Sequence, residues 1–379
     1  MKNRYKDIPK HLQSYIVDQD YDNYTQIDHS CWEFIMTISK EFFKMHAHKS
    51  YLDGLEKTGI PINRIPRISE MDDKLIKIGW RAVPVRGFLP PTIFMQFQSH
   101  SILPIASDMR SVKHINYTPA PDIVHEAAGH SPIIIDDLYS EYLKNYGKAA
   151  SKALYSKDDQ IIYNAIRVLS DLKENPNSKD EDIYEAEREL NKSIEENTFM
   201  RESAYLARLN WWTVEYGLVG DFKNPKIFGA GLLSSVSESF NAINGNVNII
   251  PLSIDCINYS YDITEQQPQL FIARDFSHLN EVLEQFKNKM SYKIGGLKSV
   301  HRAIQSRGLC TFELDSGIQV SGMPTDFIGE SSVDYFKFNG PVQLSYKNTE
   351  LERHGANYHN EGFSSPICSQ EEVRLLESA

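Results

Sequence analysis

The sequence predicts a mainly α domain with small β elements, followed by a small β-rich C-terminal domain. Apolar residues recur at helical spacing in several stretches before residue 217. After about residue 289, apolar and polar residues instead alternate around predicted turns at Asp315-Ser-Gly317 and Asn339-Gly340, as they do in β-hairpins. The length of 379 residues suits one large domain and a smaller one. We therefore predict a first domain over residues 1–290 and a second over residues 291–379.

The first domain is predicted to begin with helical structure between about residues 20 and 58, with Asp28 as the N-cap. The apolar residues that recur there at near-helical spacing are Trp32, Phe34, Ile35, Ile38, Phe42 and Phe43. Prolines between residues 61 and 91 then break the chain into short segments. Helical patterns return from Asp122 to about Tyr146 and from Glu202 to about Tyr216.

An acidic segment over about residues 156–200 separates these two later helical stretches. It carries twelve acidic and six basic side chains. Ser178 with Glu181 resembles a capping box, and Ile183, Leu190 and Ile194 could form one apolar stripe. We interpret the segment as a solvated helical insertion; a disordered acidic loop is the alternative.

The overall composition excludes several classes of protein. A formal net charge of −11 without a basic cluster argues against a nucleic acid partner. The sequence lacks an apolar run of ~20 residues that could span a membrane, and its polar N-terminus does not resemble a secretory signal. The scattered cysteines, which indicate reduced thiols in a cytoplasmic protein, are Cys31, Cys256, Cys310 and Cys368. The oligomeric state is not predicted.

Two histidines in the segment DIVHEAAGHSP are candidate metal ligands. In zinc proteases of the HExxH type both histidines lie one helical turn apart, but His130 follows His125 by five residues. On an ideal α-helix five residues correspond to a rotation of roughly 140°, so the two imidazoles would not share a face. Gly129 and Pro132 would allow the helix to end or loosen there. The spacing therefore argues against a zinc protease.

A third ligand is available in the segment WWTVEYG. Glu215 lies among apolar and aromatic residues, where an unpaired carboxylate would be costly to bury. Two imidazoles and one carboxylate with open coordination positions are the ligand set of mononuclear iron(II) oxygenases. Alternatively, the histidines are structural and the glutamate pairs with an arginine. Residue spacing alone does not join Glu215 to the histidines.

The segments PDIVHEAAGHSP, WWTVEYGL and FGAGLLSSVSE, in this order, resemble the tetrahydropterin-dependent aromatic amino acid hydroxylases. The similarity extends from near Asp20 to about Phe286, excluding the acidic segment. It implies the aromatic amino acid hydroxylase fold for the first domain, with His125, His130 and Glu215 as ligands of Fe(II). It further implies a monooxygenase that uses O2 and a reduced pterin, tetrahydrobiopterin or a related one, to hydroxylate the ring of a free aromatic amino acid.

The resemblance also implies roles for individual residues in two binding sites. Arg110 matches the arginine that holds the substrate carboxylate, a task that suits the paired donors of a guanidinium. From the residues alone, Arg110 would be a surface arginine. The other residues that match the amino acid pocket are Tyr117, Thr118, Pro119, Trp211, Ser234 and Ile263. Those that match the pterin site are Val85, Gly87, Phe88, Leu89 and Glu126.

The resemblance implies phenylalanine as the substrate and tyrosine as the product. Ile263 aligns with a position that is apolar in phenylalanine hydroxylases and acidic in tyrosine hydroxylases, and an apolar wall disfavours burial of a hydroxyl group. The interval of 85 residues between His130 and Glu215 is much longer than in the familiar members. Two rival hypotheses are a zinc-dependent hydrolase with Glu126 as general base and a catalytically inactive amino acid sensor.

Overall fold

The computed structural model describes residues 4–87, 89–115, 121–174, 177–196, 202–245, 247–261, 263, 266–367 and 373–376. The chain divides into two compact units. The first contains Met1–Lys148, Arg167–Glu185 and Ala207–Leu283, and the second contains Ala149–Ile166, Ala186–Leu206 and Glu284–Ala379. The second unit thus includes two stretches that precede residue 290, and the domain boundary at that residue stays a prediction. Among the residues described, none of the helices combines the length and the apolar character needed to cross a membrane.

Helices dominate the first two thirds of the chain. The α-helices are α1 (Lys10–Gln13), α2 (Gln26–His46), α3 (Ser50–Lys57), α4 (Ile68–Leu75), α5 (Pro91–Ser99), α6 (Asp137–Ala150), α7 (Lys157–Glu174), α8 (Asp180–Glu196), α9 (Glu202–Asn210), α10 (Ala230–Leu233), α11 (Val236–Ile243), α12 (Phe276–Lys287), α13 (Ser291–Ile294) and α14 (Gly296–Ser306). The π-helical segments are Val124–His130 and Trp211–Glu215. The 3-10 turns are Tyr21–Asn23, Ile76–Ile78, Val112–His114, Ser131–Ile135 and Ile254–Asn258.

The strands form three sheets. They are β1 (Arg81–Val85), β2 (Ile102–Ala106), β3 (Leu218–Asp221), β4 (Asn224–Ile227), β5 (Asn248–Pro251), β6 (Gln269–Ala273), β7 (Cys310–Leu314), β8 (Ile318–Ile328), β9 (Tyr335–Tyr346), β10 (Thr349–Glu350), β11 (Gly362–Pro366) and β12 (Val373–Leu375). In the first unit, β1 and β2 pair in parallel, and a second sheet has the order β4-β3-β6-β5. In the second unit the order is β10-β9-β8-β7-β12, with β11 also paired to β9. The predicted fold class is confirmed by this arrangement.

The helical start of the first domain is observed, but its cap differs from the prediction. Thr25, not Asp28, is the N-cap of α2, and Asp28 is the third helical residue of a reciprocal capping box. Its carboxylate accepts from the Thr25 N–H while the Thr25 hydroxyl accepts from the Asp28 N–H. Phe34 and Ile38 are exposed, so only part of the predicted apolar set on α2 belongs to the core.

The acidic segment forms the two helices α7 and α8, as the helical interpretation predicted. The predicted capping box does not form, because α8 begins at Asp180 and the Ser178 hydroxyl has no hydrogen-bond partner within the described part of the chain. The buried residues of α8 are Ala186 and Ser193, whereas Ile194 is exposed. The apolar stripe was therefore wrongly extended to Ile194.

The second unit contains its own apolar core beneath an antiparallel sheet. Its buried members include Val300 of α14, Phe312 of β7 and Phe336 of β9. The predicted turn at Asp315–Gly317 is present and joins β7 to β8. The Asn-Gly pair was wrongly predicted to be a turn, because Gly340 lies within β9, where its φ of +72° accompanies a shift of register against β8. The cysteines described, Cys31, Cys256 and Cys310, are free thiols.

A buried carboxylate ties the N-terminal segment to β1, the strand that leads into the segment matched to the pterin site. Asp72 is completely buried and accepts hydrogen bonds from the side chains of Arg4 and Arg81, at 2.7 and 2.8 Å. It also accepts from the Ala82 N–H at 3.0 Å. Because β1 ends at Val85, this cluster holds the backbone that precedes the loop at residues 85–89.

We expect Asp72→Ala to lower the free energy of unfolding by about 2–4 kcal/mol, because the buried Ala82 N–H would lose its acceptor and each arginine would keep only an exposed carboxylate partner. Asp73→Ala is the matched control: its carboxylate also pairs with Arg4 but is 66% exposed, so the loss should stay below about 1 kcal/mol. Urea denaturation followed by circular dichroism measures both. Equal effects of the two substitutions would contradict this account.

Candidate metal centre

A π-helical turn brings the two histidines of the motif together. The segment Val124–His130 is π-helical, and hydrogen bonds between residues five apart place His125 and His130 on the same side of the helix. Their Nε2 atoms lie 3.1 Å apart. The predicted loosening of the helix is thus a change of helical pitch through the whole motif.

The carboxylate of Glu215 reaches the same point from a second π-helical segment, Trp211–Glu215. One of its oxygens lies 3.2 Å from His125 Nε2, and the other lies 3.4 Å from His130 Nε2. His130 is 4% exposed, whereas His125 and Glu215 keep 17% and 15% of their side chains exposed. The three donors therefore converge on one point, and two of the three side chains remain partly exposed there.

This geometry fits a metal ion with a facial set of three ligands. Donor atoms about 2.1 Å from an ion and at right angles to one another lie about 3 Å apart, close to the three distances observed. A neutral His125 can present its Nε2 lone pair here, because its Nδ1 lies 3.1 Å from Ser234 Oγ and can donate to it. The Ser234 hydroxyl in turn donates to the Gly231 carbonyl. Two imidazoles and a carboxylate suit a divalent transition metal.

Electrostatics within the cluster favour a cation. Burial would by itself raise the pKa of Glu215, but the neighbouring His130 and His125 hold it below its usual range. Burial would lower the pKa of His125, yet the Glu215 carboxylate raises it to about 9, whereas burial lowers the pKa of His130 to about 4. An ionised carboxylate thus faces His125, which takes up a proton when no metal ion is bound, and His130, which stays neutral. A bound metal cation would replace that proton and leave His125 neutral.

Glycines allow the short helix α10 to pack directly on both π-helical segments. A Cβ atom at Gly129 would lie 2.7 Å from the Ala230 carbonyl oxygen, and one at Gly229 would lie 2.4 Å from the Glu215 carbonyl oxygen. At Gly231 it would meet the ring of Tyr216 at 2.9 Å. Larger residues at these positions would push apart the segments that carry the three donors, so glycine is needed for the close approach of the backbones.

Arg110 is buried beside the cluster rather than exposed on the surface. Its guanidinium binds Asp122 through two hydrogen bonds of 2.7 Å, and a third N–H donates to the Ser234 carbonyl at 3.1 Å. The paired guanidinium outweighs burial and lowers the pKa of Asp122. Asp122 also accepts from the His125 N–H, so it connects Arg110 to the π-helical turn that carries the two histidines. Sequence reasoning missed Asp122, although it stands three residues before His125.

Trp211 lies in an aromatic cluster at the start of the second π-helical segment. Its indole stacks on Tyr261 with ring centres 4.3 Å apart and planes 11° apart, and its N–H donates to the Gln267 side chain. Ile263, two residues after Tyr261, is half-buried. Tyr261 and Gln267 were not identified from the sequence, because nothing in the local pattern links them to Trp211.

The loop matched to the pterin site is connected to the same region through Asp108. Val85 ends β1 and pairs with Ala106 of β2. Gly87 has a φ of +64°, and its N–H donates to the Asp108 carboxylate over 3.4 Å. The Asp108 carbonyl accepts from the Ile123 N–H, just before the first π-helical segment. Leu89 packs against the core that contains Val85. The predicted residues that fall outside those described are Phe88, Tyr117, Thr118 and Pro119.

Glu126 points into the protein from the π-helical turn that carries both histidines. It is 5% exposed, and one of its carboxylate oxygens lies 3.8 Å from His130 Nε2 and has no hydrogen-bond partner among the residues that the structure describes. Burial raises the pKa of Glu126 to about 8. A buried polar atom without a partner is unusual in a folded protein and suits a site that receives a polar group of a ligand.

Comparison with known proteins agrees with this geometry. The family model described as "Biopterin-dependent aromatic amino acid hydroxylase" matches residues 2–166 and 199–295. The chain belongs to this family. It is therefore an aromatic amino acid hydroxylase. The match does not include residues 167–198, which lie in the acidic segment.

The individual relatives are identical to this hydroxylase at about a quarter of the aligned positions. A phenylalanine-4-hydroxylase of Pseudomonas aeruginosa is 26% identical over 274 residues, which cover 71% of this chain and 86% of that relative. A probable aromatic amino acid hydroxylase of Chlamydia pneumoniae is 25% identical, over 75% of this chain and 70% of that relative.

Solved structures of the Chromobacterium violaceum phenylalanine hydroxylase share the fold. One contains iron(III) and 7,8-dihydrobiopterin; it matches with a TM-score of 0.56 and 22% identity, over 74% of this chain and 92% of that one. Another contains iron and phenylalanine; it matches with a TM-score of 0.56 and 23% identity, over 73% and 87% of the two chains.

We expect His125→Ala to weaken iron binding by at least roughly 100-fold, because even the loss of an outer hydrogen-bond partner of a ligand costs 10–100-fold. Iron content after anaerobic loading and desalting measures the effect, and thermal unfolding of the metal-free protein checks the fold. The control is His278→Ala, which removes a partly exposed imidazole that accepts from the Arg274 N–H. Normal iron retention by a folded His125→Ala variant would refute the ligand assignment.

Proposed function

We propose that this hydroxylase is an iron(II)- and tetrahydropterin-dependent monooxygenase that converts free phenylalanine into tyrosine. The observation that carries the proposal is the convergence of His125, His130 and Glu215, with donor atoms 3.1–3.4 Å apart. This is the ligand set of mononuclear iron(II) oxygenases, which leaves open positions on the metal. The iron-containing structures of relatives support the choice of metal.

The protein's own residues position the reactants and exclude water. Iron and the reduced pterin, when bound, supply the activation of oxygen that no side chain can provide. His125, His130 and Glu215 would hold the metal. The buried carboxylate of Glu126 and the backbone of Val85, Gly87 and Leu89 would receive the pterin; Phe88 is assigned there by resemblance alone.

Arg110 would hold the carboxylate of the amino acid substrate. Three of its five N–H groups bind Asp122 and Ser234, and among the described residues the other two make no hydrogen bond. Asp122 neutralises the guanidinium in part and fixes its plane, so that little conformational entropy is lost when a second carboxylate binds. The pocket assignment extends by resemblance to Tyr117, Thr118 and Pro119.

Phenylalanine is the substrate that best suits the described part of the pocket. The Trp211–Tyr261 stack and Ile263 offer apolar surface, and Ile263 offers no hydrogen-bond partner for a phenolic hydroxyl. Several relatives carry the name phenylalanine-4-hydroxylase. The pocket therefore favours an aromatic ring without a polar substituent.

The two rival hypotheses are less well supported. A zinc hydrolase with Glu126 as general base is disfavoured because the chain belongs to the hydroxylase family. A catalytically inactive sensor would not need a complete ligand set. The cytoplasmic location, the lack of a nucleic acid partner and the domain boundaries stay predictions from the sequence.

The proposal is tested by incubating the iron-loaded protein with tetrahydrobiopterin, oxygen and each aromatic amino acid in turn. We expect tyrosine from phenylalanine, detected by mass, at a higher kcat/KM than any product from tyrosine or tryptophan. Preferred hydroxylation of tyrosine or tryptophan would overturn the substrate assignment. Phenylalanine binding without turnover would support the sensor, and peptide or ester hydrolysis by the zinc-loaded protein would support the hydrolase.

We expect Arg110→Lys to raise the KM for the amino acid about 10- to 100-fold with little change in iron content, because an ammonium cannot donate in the paired geometry of a guanidinium. Lysine keeps the positive charge opposite Asp122, which alanine would leave buried and unpaired. Steady-state kinetics and metal analysis measure the two effects. The exposed Arg274→Lys is the control, and an unchanged KM in Arg110→Lys would contradict the role.

A further inference from the structure

Glu238 is a buried acidic residue that the proposed chemistry does not use. It lies in α11 and is 4% exposed. One of its carboxylate oxygens accepts a hydrogen bond from the Tyr216 hydroxyl at 3.1 Å, and the other accepts from the Gln267 N–H at 3.2 Å. The part of the chain that the structure describes provides no ion pair for this carboxylate. A buried carboxylate held by two neutral donors is costly to retain.

Both hydrogen bonds of Glu238 lead to the same indole ring. Tyr216 packs against Trp211 with ring centres 4.7 Å apart and planes 31° apart. Gln267 accepts a hydrogen bond from the Trp211 N–H at 3.1 Å through its side chain. The Glu238 carboxylate is thus connected to the Trp211 indole in two ways, through the Tyr216 ring and through Gln267. Together these two connections restrict both the tilt and the rotation of the indole.

Of these residues, Trp211 is the one that belongs to the proposed amino acid pocket. Its other contact, the parallel stack with Tyr261, leaves rotation within the plane of the rings unrestricted. The hydrogen bond from the indole N–H to Gln267 opposes that rotation, and Glu238 anchors the Gln267 backbone. Burial raises the pKa of Glu238 to about 7, which agrees with a carboxylate kept at a cost to stability.

We infer that Glu238 is a positioning residue of the amino acid pocket, where it orients Trp211 through Tyr216 and Gln267. The inference rests on the proposed function, because the contact of Trp211 with the substrate belongs to that proposal. Glu238 touches neither the metal ligands nor the substrate in this scheme. Glu238 instead affects binding through the position of Trp211, which forms part of the pocket wall beside the aromatic ring of the amino acid.

The test compares Glu238→Leu, Glu238→Gln and Tyr216→Phe in the full chain. Leucine removes both hydrogen bonds, whereas glutamine can accept from the Gln267 N–H and donate to the Tyr216 oxygen. We expect Glu238→Leu to weaken phenylalanine binding about 10-fold and Tyr216→Phe about 3-fold, as the loss of one or two such contacts allows. Glutamine should restore affinity to within about 2-fold of the natural chain. Calorimetric titration of the iron-loaded protein measures these affinities.

A second readout follows Trp211 without any ligand. The other tryptophans, Trp32, Trp80 and Trp212, are at most 1% exposed, so acrylamide quenches mainly the fluorescence of the half-buried Trp211. We expect stronger quenching in Glu238→Leu, near-natural quenching in Glu238→Gln, and no further increase when Tyr216→Phe is added to Glu238→Leu. Trp211→Phe supplies the background signal.

The matched control is Glu202→Gln together with Glu202→Leu. Glu202 is also a mostly buried carboxylate that accepts from a backbone N–H and a hydroxyl, both of Ser291, but it lies in the second unit. These controls should leave phenylalanine affinity and quenching unchanged.

Unchanged affinity and quenching in a folded Glu238→Leu variant would overturn the inference. If that variant does not fold, Tyr216→Phe decides, because it removes only a hydroxyl group; unchanged affinity and quenching there would also overturn it. A natural chain that binds no aromatic amino acid would instead overturn the proposed function, while quenching would still report whether Glu238 orients Trp211.

Discussion

The convergence of the three candidate metal ligands depends on the hydrogen bonding of the π-helical turn at Val124–His130. An α-helix would direct two imidazoles five residues apart to different sides, and the cluster with Glu215 could not form. The same kind of turn recurs at Trp211–Glu215, where it presents the carboxylate. π-Helical turns are rare and occur frequently at functional sites. Here α10 packs on both turns, which the glycines at 129, 229 and 231 allow.

Ser234 connects the metal centre with the proposed amino acid site. Its hydroxyl lies beside His125 Nδ1, and its carbonyl accepts from Arg110. Asp122 makes a second connection, because it binds both the Arg110 guanidinium and the His125 N–H. The ring orientation of a proposed ligand and the position of the proposed carboxylate-binding group are therefore set by shared residues. A change at either Ser234 or Asp122 should affect both sites together.

The parts of the chain outside the family match form regular helices and a sheet of their own. The helices α7 and α8 extend through the acidic segment, most of which the match passes over. The antiparallel sheet of the second unit begins after the match ends at residue 295, and it is stabilised by a separate aromatic core that includes Phe312, Phe336 and Phe338. These additions do not contribute side chains to the cluster of three donors.

The sequence by itself determined the donor types and the fold class, and through the family motifs it predicted His125, His130 and Glu215 as ligands and Arg110 as a binding residue. It did not determine that Thr25 rather than Asp28 is the N-cap of α2, or that Gly340 lies in a bulge rather than in a turn. In each case the local sequence is compatible with both conformations, and packing selects one of them. Only the tertiary structure revealed Asp122 as the partner of Arg110 and the link from Glu238 to Trp211. Hydrophobic periodicity reports which face of an element is buried, whereas polar contacts between distant segments depend on where the backbone places them after folding.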